Sequence, residues 1–238
     1  MPAAGEWQCR AAASVVVLTE VLFGASPGWQ APIDSSTSTP GSHQQQHQVA
    51  LTDIGYETVL LQVLSAVTQP RLWGLPTSQD APVTDVAAAA GGPAGRGQLP
   101  AQVLGANALL MRCLIDCSGT IARCAGPRFS GNTKLLRGAL LPLFERLADP
   151  CPLVAAAAST ALASICRHCG YPLGLGQLVG QNADYVVDGV CRRLRTLQQH
   201  PRAPQLLAAL LREAGVGAQL LPLLAEPLRA ALSVSAAA

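Results

Sequence analysis

Aromatic residues and lysine are scarce in this chain. Only 4% of its 238 residues are aromatic while 50% are hydrophobic, so alanine, leucine and valine must supply most of the core. Lys134 is the single lysine. Alanine and leucine are strong helix formers, and the residues that favour strands are too few for a β-rich protein. The composition therefore predicts an all-α fold.

A strong net charge and a long apolar run are also lacking. The formal charge of +2 argues against a general nucleic-acid binder. No stretch approaches the roughly 20 apolar residues of a membrane-spanning helix. The apolar run at 11–18 is short and lies between Glu6 and Glu20, unlike the core of a secretory signal. We therefore expect neither nucleic acid nor a membrane as a partner.

The eight cysteines do not follow the pattern of a disulfide framework. Most fall inside predicted helices, where a free thiol packs like a small hydrophobic residue. This usage favours a reducing setting, the cytoplasm or the nucleus. Cys166 and Cys169 form the only CxxC pair, which could be half a zinc site or a redox pair. A second paired motif and a preceding strand are both missing, which favours packed thiols and no cofactor.

Amphipathic helical segments recur along the chain, separated by two stretches rich in proline, glycine and polar residues. A lone helix could not bury these apolar stripes, whereas stacked helix pairs can. The predicted architecture is a right-handed, HEAT-like α-solenoid of antiparallel helix pairs with long disordered loops. Its predicted parts are an N-terminal helix at 1–24, a disordered linker at 25–48, a helix at 49–67, a second disordered linker at 68–98 and helical repeats at 99–238.

The apolar spacing also predicts which side of each helix is buried. The stripes of the first two helices are expected to be Trp7, Ala11, Val15, Leu18 and Leu22, then Ile54, Thr58, Leu61 and Leu64. Those of the next three are expected to be Val103, Leu110, Leu114 and Ile121, then Leu136, Leu140, Leu143 and Leu147, then Val154, Ala158, Ala161, Ile165 and Cys169. Later stripes are Val187, Val190, Leu194 and Leu197, then Leu206, Leu207, Leu210 and Leu211.

Capping residues and prolines predict several helix ends. Asn132 or Thr133 suits the start of one helix, and Pro142 within it predicts a kink or a delayed start. Gly170 is expected to end the helix that contains the CxxC pair. Residues 173–179 are expected to be a connector, with Asn182 capping the helix that follows.

The segments Lys134–Asp149 and Leu153–Cys169 resemble a HEAT repeat, in which a short turn with an aspartate joins a helix to a second helix rich in small residues. The usual signature places valine and arginine early in the second helix. Here Val154 is followed by Ala155, so the arginine that ties neighbouring turns together is missing.

Three later motifs resemble the C-terminal part of the Tel-two-interacting protein one family. They are QNADYVVDGVCRRL at Gln181–Leu194, HPRAP at His200–Pro204 and LLPLLAEPL at Leu220–Leu228. The opening segment EWQCRAAASVVVLTEVLFGA at Glu6–Ala25 is similar to a segment from the middle of the family. Family members are far longer, so the chain looks like a fragment, a truncated gene product or a short member.

The resemblance implies a non-enzymatic scaffold. The family is the HEAT-repeat subunit of the Triple-T co-chaperone complex, which binds two partner subunits and the ninety-kilodalton heat-shock chaperone. The complex supports assembly and stability of phosphatidylinositol 3-kinase-related kinases. The alternatives are another HEAT- or armadillo-type adaptor, or a thiol or zinc protein that uses Cys166 and Cys169.

One basic cluster is the candidate partner-contact surface. The densest basic cluster consists of Arg192, Arg193 and Arg195 on a predicted helix, together with Arg202. It could hold an acidic partner surface or a phosphorylated tail. A solvated helix face is the favoured explanation, since exposure is the default for arginine. Tyr185 on the same predicted helix is a further contact candidate, or else a core residue with its hydroxyl at the edge. The sequence predicts no catalytic, cofactor-binding or metal-binding residue.

Overall fold

The computed structural model describes residues 5–26, 42–79, 99–197 and 199–212, together with 217, 220–226 and 229; over 42–54 it describes the backbone alone. Within these residues there are helices and turns but no strand. The helices are α1 (Glu6–Gly24), α2 (Ser42–Val67), α3 (Pro70–Trp73), α4 (Ala101–Ala125), α5 (Pro127–Gly131), α6 (Thr133–Leu147), α7 (Pro152–His168), α8 (Leu175–Gln181), α9 (Ala183–Arg195) and α10 (Ala203–Arg212). Residues 220–226 are also helical.

The long helices stack in two layers. In one layer α4 lies between α1 and α7, and α8 packs at the far side of α7. In the other layer α6 lies between α2 and α10, with α9 packed beside α6 and α10. From α1 to α7, successive long helices therefore alternate between the layers, as in a stack of antiparallel pairs. The prediction of an all-α, solenoid-like fold is confirmed.

Small residues make a close contact possible between α4 and α7. A Cβ atom added at Gly119 on α4 would lie 3.3 Å from both the Cα and the Cβ of Ala161 on α7. The thin stripe predicted for α7 is buried along its whole length: Val154, Ala158, Ala161, Ile165 and Cys169. Backbones that approach this closely leave little space for larger side chains.

Most of the predicted stripes of α4, α6 and α10 are buried. Leu110, Leu114 and Ile121 on α4 are fully covered, as are Leu140 and Leu143 on α6. Leu206 and Leu210 form the buried edge of α10. Val103 and Leu147 are covered only in part, because they lie near the ends of their helices.

Two predicted helix ends are confirmed. The side chain of Asn132 accepts hydrogen bonds from the backbone N–H groups of Lys134 and Leu135, so it caps α6. Gly170 has a φ of 91°, and the N–H of Tyr171 donates to the carbonyl of Cys166 at 3.1 Å. That is the Schellman arrangement in which a left-handed glycine closes a helix.

One other expectation about helix ends is wrong, and another is narrowed. Helix α6 starts at Thr133 despite Pro142, so its start is not delayed, and the kink expected as the alternative stays a prediction. Asn182 stands at the start of α9, yet its side chain makes no capping bond. Its amide instead donates to the carbonyl of Leu178 at 2.8 Å, because α8 ends directly before it and offers an unpaired carbonyl.

The predicted stripes of the first two helices are confirmed in part: Leu22 and Leu64 are buried, but other buried positions lie one residue away from the predicted ones. On α1, Trp7 is 52% exposed while Gln8 and Ala12 are buried. The amide of Gln8 donates to the side chain of Asn107 on α4 at 3.1 Å, which allows a polar residue to face the core. On α2 the buried residues include Leu60 and Leu64, with Leu61 only partly covered.

Three segments predicted to lack regular structure are helical or packed. The helix α2 begins at Ser42, inside the predicted linker at 25–48, because glutamine is a good helix former despite its polarity. Residues 68–79 of the second predicted linker form α3 and a turn that buries Trp73 and Thr77. The predicted connector at 173–179 contains most of α8, which buries Leu178 and Val179. Residues 27–41 and 80–98 lie outside the described residues, and disorder there stays a prediction.

The stripe of α9 is also shifted. Its buried residues are Val186, Val190 and Cys191, whereas Leu197 is 40% exposed. The helix ends at Arg195, so Leu197 no longer follows the helical spacing that would turn it inward.

None of the described helices is long and apolar enough to cross a membrane.

Candidate functional site

Tyr185, the first predicted contact residue, joins α9 to α6. Its hydroxyl donates to the backbone carbonyl of Arg137 at 2.7 Å. The Arg137 guanidinium lies 5.2 Å from the centre of its ring, within cation–π range. Burial raises the pKa of the phenol. One edge of the side chain is therefore engaged within the protein, and its role as a partner contact stays a prediction.

The three predicted arginines point in different directions. Arg193 is mostly covered and forms an ion pair with Glu145 on α6, and it also donates to the carbonyl of Gly189. Arg192 is exposed and pairs with Asp188 one turn earlier on α9. Arg195 is exposed. Arg193 therefore helps to hold α9 against α6, whereas Arg192 and Arg195 remain accessible to a partner.

A buried carboxylate that the sequence did not single out joins three distant parts of the chain. We call its surroundings the Asp149 junction: Asp149 with Thr77, Arg146, Cys151 and Arg202. One oxygen of Asp149 accepts from Arg146 at 2.6 Å and from Arg202 at 3.1 Å. The other accepts from the hydroxyl of Thr77 at 2.6 Å and from the N–H of Cys151 at 3.0 Å. Each oxygen of the buried carboxylate is thus satisfied twice, as burial of a charge requires.

The guanidinium of Arg146 is also enclosed. The side chains of Arg146 and Asp149 are 4% and 0% exposed. Burial lowers the pKa of Arg146, an effect that the neighbouring carboxylate of Asp149 opposes. The guanidinium lies 5.7 Å from the ring centre of Trp73, and the indole N–H of Trp73 donates to the carbonyl of Val67 at 2.6 Å.

The Asp149 junction connects neighbouring turns, which is the role of the arginine that is missing after Val154. The turn between α6 and α7 is joined to the turn before α10 by Arg202 and to the turn after α3 by Thr77. Neighbouring turns are therefore tied together, but through side chains from outside α7. The sequence shows both of these residues, the aspartate of the turn and the arginine of the HPRAP motif. Their spacing along the chain could not predict that they form an ion pair.

Two hollows open beside these groups. The first, the Trp73 hollow, has a volume of about 290 Å³ and lies between α3, α6 and the turn before α10. The second, the Tyr185 hollow, has a volume of about 340 Å³ and lies between α6 and α9. Pro142 and Arg193 line both hollows, so the two adjoin along α6.

The CxxC pair lies in an apolar setting that keeps its thiols protonated. Cys166 and Cys169 are both buried, and the thiol of Cys169 donates to the carbonyl of Ala122 at 3.5 Å. Burial raises the pKa of Cys169 to about 12 and also raises that of Cys166. A reactive thiol needs the opposite shift. The geometry therefore disfavours the thiol-enzyme alternative.

Within the described residues, no three His, Cys, Asp or Glu side chains are grouped to hold a metal ion. All eight cysteines are free thiols. Cys151 and Cys191, the nearest thiols in the sequence to the CxxC pair, do not join it.

Comparison with known proteins gives matches to one family. The sequence model of TELO2-interacting protein 1 matches residues 140–232. The TELO2-interacting protein 1 homolog of Mus musculus is 44% identical over 92 residues, and that of Homo sapiens is 40% identical over 92 residues. These residues make up 39% of this chain, which spans 8% of the length of each relative. No solved structure gives a significant match.

The resemblance that the three C-terminal motifs carry is thus confirmed over residues 140–232. That range extends from the middle of α6 past α10 and includes all of the Asp149 junction except Thr77. The opening segment Glu6–Ala25 lies outside the matched residues, and its likeness to the middle of the family stays a prediction.

Proposed function

We propose that this chain is a non-enzymatic helical-repeat scaffold that binds protein partners, TELO2 among them. The observation that supports the proposal most strongly is the match of residues 140–232 to TELO2-interacting protein 1, a protein whose name records that interaction. The described part of the match includes the whole of α7, α8, α9 and α10 rather than a part of one helix, so it can present a folded surface to a partner.

The packing of the stack suits a scaffold. A surface that is rigid before binding loses less conformational entropy when a partner docks. The close contact of Gly119 with Ala161 and the buried carboxylate of Asp149 both fix the positions of neighbouring helices. The exposed side chains of α9, such as Arg192, are therefore held in a defined arrangement.

The fuller role follows from the resemblance. The scaffold would act in a Triple-T-type complex with two partner subunits and a heat-shock chaperone, in the cytoplasm or nucleus. Its clients would be phosphatidylinositol 3-kinase-related kinases. Another HEAT- or armadillo-type adaptor would share the fold but bind different proteins.

The direct test is capture of the tagged full chain from cells that produce it, with identification of bound proteins by mass spectrometry. Recovery of TELO2 is expected, together with a chaperone or kinase. Recovery of a reproducible but different partner would favour the other adaptor class, and recovery of none would reject the proposal.

The matched control is Leu140→Asp. Leu140 is fully buried, so a carboxylate there would prevent folding of the matched region. TELO2 should be lost with this variant. Equal capture by both forms would show that binding does not need the folded stack and would contradict the scaffold role.

A further inference from the structure

The two hollows on either side of Arg193 carry an excess of positive charge. Five arginines line them, against the two carboxylates of Asp188 and Glu145: Arg137, Arg146, Arg192, Arg193 and Arg202. Asp149, which neutralises part of this charge, is fully buried behind Arg146 and Arg202. Five arginines against three carboxylates, with Asp149 included, leave an excess of two positive charges, so this surface alone carries a charge equal to the formal +2 of the whole chain.

Two of these arginines are available to a partner. Among the described residues no carboxylate pairs with Arg137, whose guanidinium rests on the ring of Tyr185. Arg192 has a side chain that is 75% exposed, and its one partner, Asp188, is 64% exposed. An exposed pair of this kind contributes little stability and can exchange its carboxylate for another.

The same surface offers a backbone acceptor. Pro142 has no N–H group, so the carbonyl of Gly138 four residues earlier lacks its usual helical donor. Both residues line the Tyr185 hollow. A ligand that brings carboxylates and N–H groups together would satisfy the guanidinium groups and this carbonyl. A peptide segment has both kinds of group.

We propose that the Tyr185 hollow and the Trp73 hollow together bind an acidic segment of a protein partner, with its carboxylates on Arg137 and Arg192. The inference rests on the proposed scaffold function and names the chemistry of the partner. The side chains of Trp73, Pro142 and Pro201 supply apolar walls beside the arginines. A nucleic acid fits less well, because affinity for nucleic acid comes mainly from many phosphate contacts and the formal charge of the chain is only +2.

The test uses the full chain and a fluorescein-labelled peptide of alternating glutamate and alanine. A length of about twelve residues, roughly 40 Å when extended, is enough to cross both hollows. A peptide with glutamine in place of glutamate and a single-stranded oligonucleotide serve as comparison probes. Fluorescence anisotropy should show binding of the glutamate peptide that weakens as salt is added, and much weaker binding of the other two.

The decisive variant is the double substitution Arg137→Gln with Arg192→Gln. It should weaken binding about tenfold, since two charged hydrogen-bond donors are removed. Its matched control is Arg10→Gln with Arg112→Gln. This removes two other exposed arginines, each paired with an acid one turn away, and should leave affinity within about twofold.

A substitution that should strengthen peptide binding distinguishes loss of the binding site from loss of the fold. Asp188→Asn removes the carboxylate that competes for Arg192 and should strengthen binding about threefold. An unfolded variant could not bind more tightly. Equal weakening by both double variants, no binding of the glutamate peptide, or equal binding of the oligonucleotide would each overturn the inference.

The outcome can be separated from that of the proposed function. Capture of TELO2 by a chain that does not bind the acidic peptide would overturn the inference and leave the scaffold role intact. Peptide binding that depends on Arg137 and Arg192, without capture of TELO2, would support the inference and reject TELO2 as the partner.

Discussion

The contact between α4 and α7 and the Asp149 junction hold neighbouring helices together in opposite ways. At the first, Gly119 and Ala161 bring two backbones close together, and one side-chain hydrogen bond lies beside them, from the hydroxyl of Ser164 to the carbonyl of Gly119 at 3.4 Å. At the second, a buried carboxylate is bonded to Thr77, Arg146 and Arg202 from three parts of the chain. The first contact should be sensitive to added volume, and the second to the loss of any one charge.

This difference means that the two contacts respond to different substitutions. A close apolar contact is stabilised by dispersion and exclusion of water, which depend on fit. A buried ion pair contributes little net stability when intact, but removal of one partner leaves the other as an uncompensated charge. The polar junction is therefore expected to give the largest single effect.

Asp149→Ala should be the most destabilising substitution at either contact. It leaves the guanidinium of Arg146 buried without a carboxylate, and we expect the free energy of unfolding to fall by about 3–5 kcal/mol. Urea denaturation followed by circular dichroism measures this. The control is Asp116→Ala, whose half-exposed pair with Arg112 should contribute at most ~1 kcal/mol. Similar losses for the two variants would contradict the role assigned to the junction.

Ala161→Leu tests the apolar contact. The larger side chain has no space against Gly119, so we expect a loss of about 1–3 kcal/mol from overpacking. Ala156→Leu on the exposed side of the same helix is the control and should change stability by less than ~0.5 kcal/mol. Thermal denaturation of the two variants distinguishes them. If Ala161→Leu is as stable as its control, the contact is looser than the structure indicates.

Thr77→Val removes one hydrogen bond to Asp149 while keeping the shape of the side chain. Because the other oxygen of the carboxylate keeps both guanidinium partners, the expected loss is smaller, about 1–2 kcal/mol. Thr160→Val, which removes a hydroxyl bonded to the carbonyl of Ala156 on an exposed face, should be nearly neutral. A neutral result for Thr77→Val would mean that residues 68–79 are not fixed to the turn after α6.

The smallest effect is expected for alkylation of Cys169, which lies at the edge of the α4–α7 contact. With a pKa of about 12, its thiol stays protonated at pH 8, with a thiolate fraction of about one in ten thousand. Mass spectrometry after iodoacetamide treatment of the native protein should show exposed Cys9 modified well before Cys169. Unfolding in urea should abolish the difference. Rapid native modification of Cys169 would revive the thiol-protein alternative.

The sequence predicted well the parts of the fold that depend on local spacing. Helices α4, α6 and α7 and most of their buried residues followed from apolar residues recurring at helical intervals. The caps at Asn132 and Gly170 followed from residue chemistry. These features need no knowledge of distant parts of the chain, and they are where prediction and structure agree best.

Long-range contacts account for the errors. Residues 68–79 have the composition of a linker, but Trp73 and Thr77 pack against the turn after α6, at a separation of 72 residues between Thr77 and Asp149. Gln8 is buried rather than Trp7 because Asn107 supplies a polar partner 99 residues away. Composition and periodicity cannot identify such partners.

The candidate surface was only partly predictable, again because some of its contacts join distant parts of the chain. The sequence placed Tyr185, Arg192, Arg193 and Arg195 on one helix. It could not show that Tyr185 and Arg193 both face α6, where the hydroxyl of Tyr185 meets a carbonyl 48 residues away and Arg193 meets Glu145. Arg137, which is central to the proposed surface, had no sequence signal of its own.

The separations within the Asp149 junction also bear on how fast the protein folds and unfolds. The hairpin of α6 and α7 can form from neighbouring residues, whereas the bonds from Thr77 and Arg202 require closure of loops of 72 and 53 residues. Such closure is entropically costly, so we expect these bonds to form after the rate-limiting step. Asp149→Ala should then accelerate unfolding strongly and slow refolding little, which stopped-flow fluorescence can measure. The junction would thus form late in folding, and the rate at which it breaks would set the lifetime of the folded stack.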